Sequence, residues 1–281
     1  MILVALTGCG NRSGKGFAGS VAADVQQTEI RQASADWEGA RLVWSDEFNG
    51  DALDTSKWQY ETGANGWGNH EWQNYVAGGN VEVSDGTLKI IARKSGKGQR
   101  VGDYTSARLH SRQDFTYGKI EFRARIPQNK GNGLWPALWM LGSNISEVGW
   151  PACGELDIME NVSYEPDSIH FSVHSTAHNH KNGTQITSGA VALETLEEEF
   201  HTFGLLWTDR SLKFYVDSPE NIKLDFSRPE GGDADAWPFS RPFYILMNLA
   251  VGGDWGGQQG VDDRVFPAVL EIDYVRVYQL P

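Results

Sequence analysis

The sequence predicts an all-β domain, an antiparallel sandwich of jelly-roll type, on three observations. From Leu42 onward the chain runs in short alternating stretches separated by Gly, Asn and Asp. Helical periodicity is nearly absent, and neither an internal repeat nor a linker divides residues 42–281. The clearest strands are residues 88–93, 118–126, 212–216 and 270–278. In the second of these, Ile120, Phe122, Ala124 and Ile126 point one way, while Lys119, Glu121, Arg123 and Arg125 point the other. Such strict alternation describes a half-buried antiparallel strand. Residues 192–200, with Leu193, Leu196 and the acids Glu197, Glu198 and Glu199, predict one short helical turn.

Composition narrows the function. The 281 residues carry 24 Lys and Arg against 37 Asp and Glu, a net charge of −13. That balance argues against a nucleic-acid partner, because counterion release needs clustered cations. Eleven Trp, nine Tyr and twelve Phe supply both a core and aromatic faces of the kind that neutral sugars pack against. Two cysteines, Cys9 and Cys153, make no disulfide framework, and Cys153 reads as a small packing residue. No segment approaches the run of about 18 apolar residues that a membrane helix needs.

The chemistry concentrates in Cys153-Gly-Glu155-Leu-Asp157-Ile-Met-Glu160. In a regular strand Glu155 and Asp157 share one face, and Leu156 and Ile158 face the core. An unbroken register would drive Glu160 into that core unpaired, at high cost. One extra residue, a β-bulge around Ile158 and Met159, returns Glu160 to the face of Glu155 and Asp157. Three acids in a row suit glycoside hydrolysis with retention, which uses two carboxyl groups about 5–5.5 Å apart. A solvated acidic edge and a Ca²⁺ site are the other readings. The interleaved apolar residues fit a solvated edge poorly.

At this strand the chain resembles family 16 glycoside hydrolases, whose signature Glu-x-Asp-x-x-Glu matches Glu155-Leu-Asp157-Ile-Met-Glu160 in the bulged, laminarinase-like form. The resemblance extends through Trp44-Ser-Asp-Glu-Phe-Asn-Gly50, Gly66-Trp-Gly-Asn69, Tyr104-Thr-Ser-Ala-Arg108, Gly133-Leu-Trp-Pro-Ala-Leu-Trp139, Asn248-Leu-Ala-Val-Gly-Gly-Asp-Trp-Gly-Gly257 and Ile272-Asp-Tyr-Val-Arg-Val-Tyr278. It implies a jelly roll whose concave face is the substrate cleft, and an endo-β-1,3-glucanase acting with retention. By the resemblance Glu155 is the nucleophile, Asp157 its partner and Glu160 the general acid/base. Mixed-linkage glucan, a marine galactan, or glucan binding without catalysis on the same fold are the rival functions. Both glutamates are present, which separates this chain from non-catalytic relatives that lack one or both.

Trp135, Ala137 and Trp139 fall on one strand face, with Pro136, Leu138 and Met140 on the core side. The two indoles resemble substrate-stacking residues; a packed aromatic cluster is the alternative. Trp150 and Trp255 are similar candidates, the latter between glycine pairs that give it little local backing. Asn69 and Arg108 resemble residues that hold sugar hydroxyls, and His174 resembles a histidine beside the acid/base. His170, His174, His178 and His180 invite a zinc reading, but residues 169–173 read as strand, so metal ligation is not expected there. His178 and His180 read as loop residues. No cofactor is expected for catalysis. Glu47 and Asp273 belong to motifs that hold a structural Ca²⁺ in many family members.

Met1-Ile-Leu-Val-Ala-Leu-Thr-Gly-Cys9 resembles the end of a bacterial lipoprotein signal peptide, without its basic n-region. The expectation is a signal remnant over residues 1–9, a small-polar tether over 10–36 and the catalytic domain over 37–281. Cys9 would be acylated, placing a monomer at the cell surface or outer membrane, anchored or released. Its partners are then a polysaccharide and, through Cys9 alone, a membrane.

Overall fold

A computed structural model describes residues 37–128 and 131–281. Cys9 and the tether lie outside the described residues. Two sheets stack face to face. The ten-stranded sheet runs Ile222–Ser227, Ser211–Val216, His201–Trp207, Gly118–Arg125, Ala268–Gln279, Thr87–Lys94, Tyr104–Ser106 and Gln73–Tyr75. Arg41–Asp46 also pairs with Ala268–Gln279, and Val81–Ser84 with Thr87–Lys94. The eight-stranded sheet runs Ile186–Thr187, Ser168–His174, Glu155–Glu160, Leu134–Gly142, Phe243–Val251, Arg108–Phe115 and Trp58–Glu61, with Val191–Ala192 on Ser168–His174. Pairing among these strands is antiparallel except between Gln73–Tyr75 and Tyr104–Ser106. Adjacent strands are distant in sequence, as in a jelly roll.

The core lies between the sheets. Ile120, Phe122, Ala124, Phe203, Leu205 and Trp207 enter it from the larger sheet. Leu138, Met140, Leu156, Phe171 and Met247 enter from the smaller one, in a single buried cluster. Each strand therefore has one face committed to the core, and the opposite face of the smaller sheet is left to form a site. The predicted helical turn is a run of turns closed by Glu199 N–H donating to Thr195 O at 2.9 Å. Among the described residues the α-helix is Ile145–Val148, four residues long and not foreseen.

On the outer face of the larger sheet, Glu121 is buried rather than solvated. It accepts from Tyr215 Oη at 2.7 Å and from Lys119 Nζ at 3.0 Å. Tyr215 lies across Gly204, where an added Cβ would come within 2.0 Å of the phenol ring. Gly204→Ala must push that ring aside, and should cost about 1–3 kcal/mol, read as a lower Tm by calorimetry with activity retained at room temperature. Trp37 packs on this same outer face with Leu206, Tyr215 and Ile222.

Candidate active site

The strand Glu155–Glu160 carries the bulge that its sequence requires. Against Leu134–Gly142 the register runs Glu155 to Leu141 and Asp157 to Trp139, then shifts so that Met159 meets Leu138 and Glu160 meets Ala137. Against Ser168–His174 it breaks over the same residues, with Asp157 opposite Ser172 and Glu160 opposite His170. Leu156, Ile158 and Met159 are all fully buried in the core, so two successive side chains point inward. Glu155, Asp157 and Glu160 consequently share the outer face. They line a cleft of about 240 Å³.

Neighbouring strands and loops build its walls. Trp135, Ala137 and Trp139 line it from Leu134–Gly142, and Asn248 and Ala250 from Phe243–Val251. The Trp135 indole N–H donates to Glu160 Oε1 at 3.0 Å, and that of Trp139 to Asn248 Oδ1 at 2.8 Å. Arg108 is clamped: its guanidinium lies 4.8 Å from the Trp67 ring and 4.7 Å from the Trp139 ring, and it pairs with Glu61. Asn69 lines the cleft with its amide donating to Glu71 Oε1 at 3.2 Å. Trp150 closes one end, its ring 5.0 Å from that of His180 and under the Lys181 ammonium at 4.8 Å.

Two expected neighbours stand elsewhere. His174 lies opposite Glu155 in register, with Nε2 at 3.2 Å from Asp157 Oδ2 and 3.7 Å from Glu155 Oε1, so its contacts are to that end of the acidic row while its charge also acts on Glu160. Trp255 stands behind Trp135, edge-on at 5.4 Å, and its loop supports that indole. Cys153 packs in a buried cluster with Leu141 and Leu246, as expected of a small core residue. Glu47 and Asp273 are each paired with an arginine. Glu47 accepts two hydrogen bonds from Arg276, at 3.1 and 2.7 Å, and Asp273 pairs with Arg123.

Sequence reasoning missed Glu71, Trp67, Asn248, His180 and Lys181 as cleft residues. Trp67 and Asn248 sit inside motifs already singled out, and Glu71 follows one by two positions. The loop that carries His180 and Lys181 gave no signal, since a 3₁₀ turn at 180–182 brings them to the cleft.

The model of glycosyl hydrolases family 16 matches residues 68–276. The beta-glucanase of Rhodothermus marinus is 45% identical over 252 residues, covering 86% of this chain and 85% of that one. The chain belongs to family 16. The glucan endo-1,3-beta-glucosidase of Cryptopygus antarcticus is 36% identical, over 84% of this chain and 90% of that one. The solved laminarinase of Rhodothermus marinus superimposes with a TM-score of 0.77 at 43% identity, covering 85% of this chain and 97% of that one. This family 16 member is thus a glycoside hydrolase built on the family's sandwich.

Its acidic row is held short of full ionisation. Burial, then the charge of Asp157, pushes Glu155 up to about 8, opposed by His174, Arg108 and a hydrogen bond from Trp150. Burial also raises Asp157 well above the ordinary carboxylate range, and burial with the Asp157 charge does the same to Glu160. Acids this close share protons, so the row titrates as a set. Burial and mutual repulsion both oppose ionisation here, which favours keeping an acid protonated near neutrality. Asp157→Asn takes one negative charge out of the set. Both limbs of the kcat/KM profile should then move to lower pH, the basic one by about one unit. Limbs that stay in place would mean that Asp157 holds a proton throughout.

Proposed function

We propose that this chain is a retaining endo-hydrolase of β-1,3-linked glucan, with Glu155 as nucleophile, Glu160 as general acid/base and Asp157 orienting and tuning the pair. The observation that carries the reading is the bulged strand: three carboxyls on one face, one above the next, in a cleft walled by Trp67, Trp135, Trp139 and Trp150. In the state that reacts, Glu155 is the carboxylate: it attacks the anomeric carbon while protonated Glu160 gives its proton to the departing glycosidic oxygen, leaving a glycosyl ester on Glu155. The ionised Glu160 then takes a proton from water. The hydroxyl so formed attacks the same carbon, and Glu155 departs as carboxylate. Arg108, Asn69 and the indoles bind and orient the sugars; His174 offsets the negative charge around Glu155 and Asp157.

The linkage is taken from the relatives, among them a laminarinase and a glucan endo-1,3-beta-glucosidase. The deciding test is reducing-sugar release from laminarin, with barley β-glucan, agarose and carrageenan in parallel and Glu155→Gln as blank. Release from laminarin that vanishes in the variant supports both substrate and nucleophile. Release from another polymer alone overturns the linkage. Binding to glucan without release from any of the four favours a non-catalytic glucan-binding role. We further propose that Cys9 is acylated and anchors a monomer at the cell surface. Fatty-acid labelling equal in wild type and Cys9→Ala would refute the anchor.

A further inference from the structure

The geometry points to Trp135 as a positioning residue that decides which oxygen of Glu160 carries the working proton, an inference that rests on the acid/base role proposed for Glu160. Its indole N–H donates to Glu160 Oε1 at 3.0 Å. Indole is a donor with no acceptor lone pair in the ring plane. A proton on Oε1 would turn the acceptor of that N–H from a carbonyl-type oxygen into a weaker hydroxyl one. The mobile proton is therefore favoured on Oε2, the oxygen left free to meet the glycosidic oxygen and, after it departs, the water. The same bond favours the ionised carboxylate that the second step needs, opposing the burial that raises Glu160.

Trp135 is itself held from behind. Trp255 meets it edge-on at 5.4 Å and 78°, and His170 meets Trp255 at 5.0 Å and 79°. Glu165 Oε2 fixes His170 Nε2 at 2.9 Å. Gly256 allows the loop to close on the indole, for a Cβ there would stand 2.9 Å from that of Trp135. The charged groups around Glu160 are Glu155 and Asp157 on its own strand and His174 on the next, with His170 opposite it in register. None of these but the indole donates a hydrogen bond to Glu160 in the structure, so one substitution isolates the contact.

The test is the titration of Glu160 in protein labelled with ¹³C at the glutamate carboxyls, wild type against Trp135→Phe, alongside the kcat/KM profile on laminarin. Trp135→Phe keeps a ring and loses the N–H. The Glu160 titration and the basic limb of the profile should both rise by about one unit, and activity at pH 8 should suffer less than at pH 6. A Glu160 titration that does not move, with only KM raised, would make Trp135 a sugar platform and overturn the inference. If Trp135→Phe fails to fold, Trp255→Leu carries the test: it frees the indole and should shift Glu160 in the same direction by less, and no shift overturns the idea. A wild type silent on every glucan, with the Glu160 shift present, would remove the enzymatic reading and leave the Trp135 contact standing.

Discussion

Glu155→Gln is expected to lower kcat on laminarin by about 10⁵-fold or more, the scale seen when a covalent nucleophile is lost, and at the same time to make the protein harder to unfold. The two effects share one cause. Glu155 is half-buried beside Asp157, and desolvation with that neighbour's charge pushes it up to about 8, above the ordinary carboxylate value of 4.5. Between those values the folded chain keeps a proton that the unfolded chain has released. Stability due to this group is therefore fully present below the ordinary range and is lost as pH rises toward 8. Glutamine has the same shape and no charge to bury. The gain should be small at pH 4 and reach the order of a few kcal/mol near pH 8, measured as the variant-minus-wild-type difference in denaturant midpoint. A variant equally stable at both pH values would mean that burial does not raise Glu155. One that turns over at near wild-type rate would remove it from the mechanism.

Replacing Glu160 should separate the two steps of the reaction. Glu160→Ala is expected to lower glucan hydrolysis by about 10²–10⁴-fold, because the glycosidic oxygen must leave without a proton. An aryl glucoside with a good leaving group needs no such help, so it should still load Glu155, and turnover then waits on a water with no base. Azide needs no base and should restore turnover, attacking the glycosyl ester to give the β-glycosyl azide. In Glu155→Ala the same azide would enter from the vacated face and give the α-anomer. NMR of the two products assigns the residues independently of rates. The α-azide from the Glu160 variant would exchange the roles proposed for the two glutamates.

Much of this site could be read before any fold was known, because its decisive feature is local. Leu156 and Ile158 demand the core, Glu160 refuses it, and within six residues a bulge alone reconciles them. The alternation of Trp135, Leu138, Trp139 and Met140 is equally local and holds in the structure. What escaped depends on pairing between distant segments. His174 faces Glu155 through the register of the Ser168–His174 strand, which no periodicity within that strand encodes. The arginines that pair with Glu47 and Asp273, Arg276 and Arg123, come from neighbouring strands that the motifs do not reveal. Glu71 is buried, with Gln73 Nε2 donating to it at 2.6 Å, through a loop path that no local pattern encodes. A helix of four residues such as Ile145–Val148 is shorter than any pattern that could announce it.

Trp37 ends up on the back of the molecule. It is pinned to Leu206, Tyr215 and Ile222 on the outer side of the ten-stranded sheet, while the acidic row opens from the outer side of the other. The whole thickness of the sandwich separates the point where the chain enters the domain from the place where a polymer lies. A bead, fused module or surface joined directly at Trp37 therefore meets the rear of the enzyme. A catalyst immobilised from that end should keep its groove turned toward the solution and cut long chains as readily as short ones.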